Sequence, residues 1–279
     1  MPFAKVNNQR IHYEDSGGSG PALVFSHGLL MDATMFDPQV EYFRQHYRCV
    51  CWDERGHGQT ATDSIAPFSY YDSANDLAAL MQHLGIKRAV FAGMSQGGYL
   101  SLRLALTHPE LVRGLILIDT QAQQEDPSKT PGYKQMIDIW TAQGLPDAIA
   151  DTIADIILGA GAPQAAAWKA KWRAWKPHNL LAAFQTLVSR DDISAQLADI
   201  RIPALVIHGD ADIAITLDRA VDMQKRLAGS RLAGSRLDII AGAGHASNLT
   251  HAASVNAAIE RFLQTLQVDP NSNHPGDKS

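Results

Sequence analysis

The sequence predicts an α/β fold, in which a mostly parallel sheet is covered by helices on both faces. Short apolar runs rich in β-branched residues alternate with amphipathic stretches along most of the 279 residues. These runs are continuously hydrophobic, as is typical of strands that are buried on both faces. The stretches between them carry helix start and stop signals, and strands separated by helices favour a parallel sheet.

Seven runs are candidate strands, since each is short, apolar and bounded by turn residues. In chain order they read RIHYED, ALVFSH, RCVCWD, RAVFAGM, GLILID, PALVIHG and RLDIIAGAG. The candidate helices run roughly from Tyr70 to Leu84, Gln96 to Thr107, Thr216 to Leu227 and His251 to Leu266. Ser69 and Asp72 form a capping pattern before the first helix, Gly85 follows its end, and Pro109 stops the second.

One interval breaks this alternation and predicts an inserted helical domain. Between residues 121 and 199 no good strand candidate occurs, while Ala, Trp, Lys and Asp recur at helical spacing between Gly and Pro breakers. We interpret this interval as a cap, or lid, of three or four helices inserted after the strand that ends near Asp119. The core domain then comprises residues 1–120 and 200–267, and the polar residues 268–279 form a disordered tail.

A tandem repeat, RLAGSRLAGSRL, precedes the last candidate strand. Five extra residues within a helix would rotate the side chains that follow by about 500°. The repeat therefore predicts a lengthened loop between Leu227 and Arg236, with Gly229 or Gly234 able to end the helix. We assign it no function.

The composition excludes several classes of partner. The formal net charge is −5 and no basic run occurs, which argues against nucleic acid or an anionic membrane surface. The sequence lacks an apolar run long enough to span a membrane and an N-terminal signal segment, so we expect a cytoplasmic protein. Cys49 and Cys51 are too close along one strand for an unstrained bridge, which predicts two reduced core residues.

The segment GMSQG, from Gly93 to Gly97, predicts a nucleophile. It fits the G-x-S-x-G nucleophile elbow, with a candidate strand directly before it and a candidate helix directly after it. Such a turn holds Ser95 in a strained conformation, and a side chain larger than glycine at either flank would collide with neighbouring backbone. The serine hydroxyl would project above the carboxyl edge of the sheet, at a helix N-terminus that favours developing negative charge.

A serine hydroxyl needs a base, and the base needs an orienting carboxylate. Two later strands end in suitable residues: PALVIHGDAD ends with Asp210 and Asp212, and LDIIAGAGH ends with His245. The chain order is therefore serine, aspartate, histidine. This order is typical of hydrolases whose nucleophilic serine lies on a sharp turn between a strand and a helix. Either aspartate satisfies this pattern.

These motifs make the chain resemble the α/β-hydrolase family from about residue 9 to residue 266. The matching segments are SHG, DERGHG, GMSQGG, HGDAD and GAGH. The resemblance is to the branch of enol-lactonases, small carboxylesterases and cofactor-free haloperoxidases (perhydrolases), and it implies a sheet of roughly eight strands with a helical lid. The family pattern assigns the catalytic acid to Asp212, leaves Asp210 to shape the turn, and makes Asp119 a less favoured alternative acid.

The resemblance also implies an oxyanion hole formed by the backbone N–H groups of Leu29 and Gln96. Two preorganised donors stabilise the negative oxygen of a tetrahedral intermediate. In the same pattern His27 and the DERGHG segment have structural roles, because they hold loops through buried hydrogen bonds.

The predicted function is hydrolysis of small carboxylic esters or lactones by Ser95, His245 and Asp212. Apolar residues near the site, Leu30, Met94 and Trp168 among them, are predicted to bind the substrate. Trp168, Trp172 and Trp175 share one helix face, which indicates packing of the lid on the core or lining of the pocket. The spacing of histidines, acids and glycines indicates no metal site and no dinucleotide cofactor.

Two alternatives remain open on the sequence. The same triad serves perhydrolases and hydrolases of C–C bonds, and some relatives of this fold bind a small ligand without turnover. The partner is in each case a small molecule. The sequence does not indicate an oligomeric state.

Overall fold

Eight strands form a single sheet within residues 2–227 and 235–268, the part of the chain that this computed structural model describes. In chain order they are β1 (Phe3–Val6), β2 (Gln9–Asp15), β3 (Ala22–Ser26), β4 (Arg48–Trp52), β5 (Ala89–Met94), β6 (Val112–Ile118), β7 (Ala204–Gly209) and β8 (Arg236–Ile240). Their order across the sheet is β1-β2-β4-β3-β5-β6-β7-β8. The β1–β2 and β2–β4 pairs are antiparallel and the other neighbouring pairs are parallel, which confirms the predicted mostly parallel sheet.

Burial of the strands explains which of them the sequence revealed. All residues of the central strands β5 and β7 are buried, so they read as unbroken apolar runs. Strand β1 was not predicted, since its four residues lie at the edge of the sheet and only one of them is buried. It joins β2 through a two-residue turn at Asn7 and Asn8, which have φ values of 46° and 62°. Asparagine tolerates positive φ, so this Asn-Asn pair was the available signal for a hairpin.

Ten α-helices occur in the described ranges. They are α1 (Asp37–Phe43), α2 (Tyr70–His83), α3 (Gln96–Thr107), α4 (Thr130–Gln143), α5 (Asp147–Leu158), α6 (Ala165–Arg173), α7 (Pro177–Val188), α8 (Leu217–Arg226), α9 (Ser247–Thr250) and α10 (Ala252–Val268). Helix α2 begins with the predicted capping box, in which Ser69 and Asp72 bond reciprocally to each other's backbone N–H. The short helices α1 and α9 were not predicted, because neither is long enough to show a clear period.

The interval between β6 and β7 holds helices α4 to α7, in agreement with the predicted three or four helices. Gly144 and Gly159 end the first two of these helices with positive φ, as C-terminal capping glycines do. That the four helices form a separate cap domain stays a prediction.

Two predictions fall at the limits of the described chain. Helix α8 ends at Arg226 and β8 begins at Arg236, and most of the tandem repeat between them lies outside the described residues, as do residues 269–279.

Cys49 and Cys51 are free and buried, as predicted, and burial raises the pKa of the Cys49 thiol to about 12. No helix in the described part of the chain combines the length and apolar character needed to cross a bilayer.

The parallel strands place the candidate functional residues at one edge of the sheet. The carboxyl ends of β3, β5, β7 and β8 lead into the loops that carry Leu29, Ser95, Asp212 and His245, respectively. Because neighbouring parallel strands end on the same side, residues that are far apart in the chain can meet there. Helices α4, α5 and α7 contribute side chains to a cavity above this edge.

Candidate active site

Ser95 lies in the turn between β5 and α3, with a φ of 51° and a ψ of −114°. A non-glycine residue in this region of backbone space is strained, and it persists only where its surroundings enforce it. A Cβ atom at Gly93 would lie 2.1 Å from the carbonyl oxygen of Gly97, and one at Gly97 would lie 2.0 Å from that of Ser26. Both flanking glycines are therefore required for the close approach of β3, β5 and α3, as the motif predicted.

We expect Gly97→Ala to destabilise the protein severely. The added methyl group would overlap the backbone of β3, which cannot move without opening the sheet, so the loss should be about 3 kcal/mol or more. Gly132→Ala is a matched control, because a Cβ atom there has no neighbour within 4 Å. Thermal unfolding of both variants tests the expectation, and a melting temperature for Gly97→Ala equal to that of the wild type would contradict it.

The hydroxyl of Ser95, the imidazole of His245 and the carboxylate of Asp212 form a continuous hydrogen-bonded chain. The distance from His245 Nε2 to Ser95 Oγ is 3.0 Å, and that from His245 Nδ1 to Asp212 Oδ2 is 2.8 Å. A carboxylate only accepts, so Nδ1–H donates to Asp212 and Nε2 is left to accept the proton of Ser95. The other oxygen of Asp212 accepts the backbone N–H groups of Ala214 and Ile215 at 2.8 and 3.0 Å, which fixes the carboxylate plane.

Burial and pairing shift the pKa values of His245 and Asp212 in opposite directions. Burial lowers the pKa of His245, but the charge and hydrogen bond of Asp212 outweigh it, so the pKa is raised above its usual value. Burial raises the pKa of Asp212, but the charge and hydrogen bond of His245 and the Ile215 amide outweigh it, so this pKa is lowered. The pair therefore favours an ionised aspartate beside an imidazole of raised basicity.

The raised pKa of His245 predicts the acid side of the activity profile. Only neutral His245 can accept a proton from Ser95, so activity should fall as pH decreases through this pKa. For kcat/KM, which reports the free enzyme, we expect the midpoint above the ordinary histidine value of about 6.5. Rates of p-nitrophenyl acetate hydrolysis from about pH 5 to pH 9 measure it. A midpoint below the ordinary value would mean that burial lowers the pKa of His245 by more than the charge and hydrogen bond of Asp212 raise it.

The two backbone amides predicted to form an oxyanion hole belong to peptides whose carbonyls are held by buried side chains. Gln96 is the first residue of α3, so its N–H has no partner within the helix. The Thr120 hydroxyl donates to the Ser95 carbonyl at 2.7 Å and thereby fixes the peptide that carries this N–H. His27 Nδ1 bonds to the Gly28 carbonyl at 2.8 Å and fixes the peptide that carries the Leu29 N–H.

His27 has the predicted structural role. Burial lowers its pKa, so the ring is neutral. Its Nδ1–H donates to the Gly28 carbonyl, and its Nε2 accepts the backbone N–H of Glu54 at 2.9 Å. The ring thus connects the β3 loop to the DERGHG segment.

The side chain of Gln96 points away from the nucleophile into a buried polar network. Its Nε2 donates to Glu54 Oε2 and to His57 Nε2, and its Oε1 accepts from the hydroxyl of Tyr70. Burial raises the pKa of Glu54 to about 8 and lowers that of His57 to about 3. The DERGHG motif indicated a structural turn, but nothing in the sequence indicated that this turn holds the first residue of α3.

Asp53 performs the turn-forming role predicted for DERGHG. Its carboxylate accepts the backbone N–H groups of Ala33 and Gln59 at 2.7 and 2.8 Å. It also bonds to His12 Nδ1 at 2.8 Å. These contacts join the loops after β3 and β4 beneath the site.

Asp119 and Asp210, the other two candidate acids, do not contact His245 Nδ1. Asp119 accepts the backbone N–H of Gly209 at 2.9 Å with one oxygen and that of Ser247 at 3.0 Å with the other. It thus joins the end of β7 to the residue two positions after His245. Asp210 accepts the backbone N–H of Gly242 at 2.7 Å and shapes the turn.

Asp119, His208 and Asp212 bring one ligand-type atom each within 4.8 Å of one another. His208 Nε2 donates to the Ile215 carbonyl at 2.9 Å, so the lone pair is on Nδ1, which has no hydrogen-bond partner among the described residues. Burial raises the pKa of Asp119 to about 6. Since Asp119 accepts two backbone N–H groups and Asp212 bonds to His245, we interpret the cluster as a scaffold around the site.

A cavity of about 130 Å³ opens next to Ser95 and His245. Its wall is mostly apolar and includes the predicted residues Leu29, Leu30 and Met94. The remaining lining residues come mainly from helices α4, α5 and α7 and from the loops after β3, β6 and β7: Gly28, Met31, Tyr99, Glu125, Tyr133, Met136, Ile137, Ile153, Ile156, Ile157, Phe184, Leu187, Ala214 and Ile215. Sequence reasoning did not identify these, because helical periodicity shows which face is apolar but not what that face covers.

Trp168 does not line this cavity, in contrast to its prediction as a substrate-binding residue. It is buried under Lys171, whose ammonium lies 4.3 Å from the indole centre and also bonds to Asp32. On the same helix face, Trp172 Nε1 donates to the carbonyl of Leu30 at 2.9 Å. Trp168 and Trp172 therefore pack α6 on the loop after β3, which is the other role considered for the stripe. Trp175, predicted on the same helix face, lies beyond the end of α6 and contacts His57 instead.

Comparisons with known families, proteins and crystal structures show what this chain is similar to. A model of the alpha/beta hydrolase fold matches residues 21–252. The chain is similar to 3-oxoadipate enol-lactonase 2 of Acinetobacter baylyi, at 29% identity over 88% of this chain and 89% of that protein. It is also similar to pimeloyl-(acyl-carrier protein) methyl ester esterase of Xylella fastidiosa, at 30% identity over 91% and 99%. The crystal structure of the enol-lactonase from Burkholderia xenovorans LB400 matches with a TM-score of 0.84 and 26% identity, over 94% and 100%.

Proposed function

Because the chain belongs to the alpha/beta hydrolase family, we propose that it is a serine hydrolase that cleaves small carboxylic esters or lactones through an acyl-enzyme intermediate. The carrying observation is the hydrogen-bonded chain from Ser95 through His245 to Asp212 at the wall of an apolar cavity. The two curated relatives described above are named for a lactone and a methyl ester, and both substrates contain a carboxylic ester bond.

In the first half of the proposed reaction, Ser95 Oγ attacks the ester carbonyl while His245 Nε2 takes its proton. Asp212 holds the imidazole in the required tautomer and stabilises the imidazolium that forms. The carbonyl oxygen becomes negative and accepts from the N–H groups of Leu29 and Gln96. Each such donor contributes on the order of a hundredfold or more to the rate.

Collapse of this tetrahedral intermediate breaks the ester bond. His245 gives its proton to the departing alcohol, and the acyl group stays on Ser95. In the second half, His245 takes a proton from a water molecule that attacks the acyl-enzyme, and then returns it to Ser95 Oγ as the acid leaves. For a lactone the alcohol and the acid belong to one molecule, so the product is a hydroxy acid.

The apolar cavity supports a small, weakly polar substrate. Its volume of about 130 Å³ and its wall of aliphatic side chains suit a short acyl chain or a small ring. Hydrolysis on this chemistry requires no cofactor. A cytoplasmic location stays a prediction of the sequence.

A panel of esters graded by acyl and alcohol length, together with lactones, tests the proposal. We expect turnover of at least the short p-nitrophenyl esters and labelling of Ser95 by a fluorophosphonate probe, which mass spectrometry of the labelled peptide locates. Labelling without turnover of any ester or lactone would favour a perhydrolase, a C–C bond hydrolase or a ligand-binding protein. Absence of labelling would overturn the assignment of the nucleophile.

A further inference from the structure

The apolar cavity contains one polar region whose role the reaction does not explain. Among the described residues, Glu125 is the carboxylate that lines the cavity, and Tyr99 and Tyr133 line it as well. Aliphatic side chains dominate the remainder of the wall. A carboxylate in such a wall is costly unless it is paired or bonded to a ligand.

Glu125 is paired with Arg190 behind the cavity wall. Arg190 Nη1 donates to Glu125 Oε2 at 2.7 Å, and the two side chains are only 1% and 10% exposed. The guanidinium also donates to the carbonyls of Gln123 and Leu187 at 3.1 and 3.0 Å, so its Nε and Nη1 are bonded within the protein. Its Nη2 has no hydrogen-bond partner in the described part of the chain, so Glu125 is the main group that compensates its charge.

The ion pair packs against a residue that shares the cavity with Ser95. The guanidinium carbon of Arg190 is 4.3 Å from the ring centre of Tyr99, and Tyr99 lines the same cavity as Ser95. Tyr133 lies on the first turn of α4, also facing the cavity. Burial raises the pKa of the Tyr133 phenol to about 12, so it is a neutral group at physiological pH.

We infer that Glu125 and Tyr133 form a subsite for a neutral hydrogen-bond-donating group, such as a hydroxyl, carried by an otherwise apolar ester or lactone. The inference rests on the proposed ester hydrolysis. A carboxylate has about four acceptor positions. In Glu125 one is used by Arg190 and one by the backbone N–H of Asp126, so acceptor capacity remains. A substrate carboxylate would instead meet the charge of Glu125, which lines the cavity, whereas Arg190 lies behind the wall and is not a lining residue.

Three methyl esters of equal chain length test the subsite in the wild-type protein: methyl hexanoate, its ω-hydroxy derivative and monomethyl adipate. We expect kcat/KM to be about tenfold higher for the hydroxy ester than for methyl hexanoate, and about a hundredfold lower for the adipate. A second series of butyrate esters carries the same methyl, hydroxyl and carboxylate end groups on the alcohol part. This series tests the case in which the alcohol part, and not the acyl part, lies at the subsite. Equal kcat/KM values within both series, or a preference for the carboxylate, would overturn the inference.

Glu125→Gln should reduce the discrimination against the substrate carboxylate. The variant leaves Arg190 without its compensating charge, so kcat/KM for the adipate should rise at least about tenfold relative to that for methyl hexanoate. Glu110→Gln, on an exposed glutamate, is the matched control and should change neither. An unchanged adipate rate in folded Glu125→Gln, with folding checked by thermal unfolding, would contradict the assignment.

Tyr133→Phe provides a second test if Glu125→Gln does not fold. It removes one hydroxyl and keeps the ring, and the preference for the hydroxy ester should fall about threefold or more. An unchanged preference would exclude Tyr133 from the subsite. Cleavage of esters without any preference for the end group would refute the subsite alone, whereas failure of Ser95 labelling and of all turnover would refute the proposed function.

Discussion

Ser95→Ala should lower the turnover of p-nitrophenyl butyrate by about a million-fold. The variant lacks Ser95 Oγ, the oxygen that would attack the ester carbonyl, so no acyl-enzyme can form. The fold should be unaffected, because the Ser95 side chain bonds to His245 and Tyr99 at the site, while the backbone of the elbow is held by its neighbours. Initial rates and the melting temperature measure the two effects separately.

The control for this experiment is Ser254→Ala, which removes an exposed hydroxyl at the start of α10. It should retain wild-type activity and stability. Retained esterase activity in Ser95→Ala, above that of a mock purification from cells that lack the protein, would contradict the role of Ser95. A large loss of stability in Ser95→Ala would show that the hydroxyl is structural instead.

The elbow and the sheet were predictable because their signals are local. Only glycine fits at positions 93 and 97, and the strand before Ser95 and the helix after it each have a clear pattern. The order of serine, aspartate and histidine along the chain could likewise be read from residues that follow strands, whereas the choice of Asp212 over Asp210 came from the family resemblance. Parallel strands then bring these ends together without any further information from the sequence.

The interactions around these residues were not predictable, because they depend on contacts between distant segments. The contact of Glu54 with Gln96 spans 42 positions, and the bond from Asp119 to the Ser247 N–H spans 128. Neither has a spacing that a motif would reveal. Glu125 is similar: it follows β6 in an irregular segment, and only the packing of Arg190 and Tyr99 beside it shows that it faces the cavity.

The tryptophan stripe of α6 illustrates the limit of periodicity. The pattern correctly placed Trp168 and Trp172 on one buried face. It did not show that this face covers the loop after β3 and not the cavity. A period specifies which side of a helix is buried, while the identity of the neighbour depends on the course of the whole chain.

The choice between the candidate acids gives the second large effect. Asp212→Asn should lower kcat by about ten-thousandfold with little change in KM. An amide NH₂ at the position of Oδ2 would donate to His245 Nδ1 and force the proton onto Nε2, which could then not accept from Ser95. The fold should persist, since the remaining oxygen can still accept from the amides of Ala214 and Ile215.

Asp119→Asn is the matched variant, because it changes a second buried aspartate at the same edge of the sheet. Both oxygens of Asp119 accept backbone N–H groups, so an amide must present NH₂ to one of them, and we expect a loss of about 1–3 kcal/mol in the free energy of unfolding. Its activity should fall far less than that of Asp212→Asn, since Asp119 bonds to the backbone beside His245 and not to the ring. Loss of turnover in Asp119→Asn together with near-normal turnover in Asp212→Asn would transfer the role of catalytic acid to Asp119. The pH profile distinguishes the two variants further. The charge and hydrogen bond of Asp212 are the main causes of the raised pKa of His245, so Asp212→Asn should move the acid midpoint of the profile substantially downward and Asp119→Asn should not.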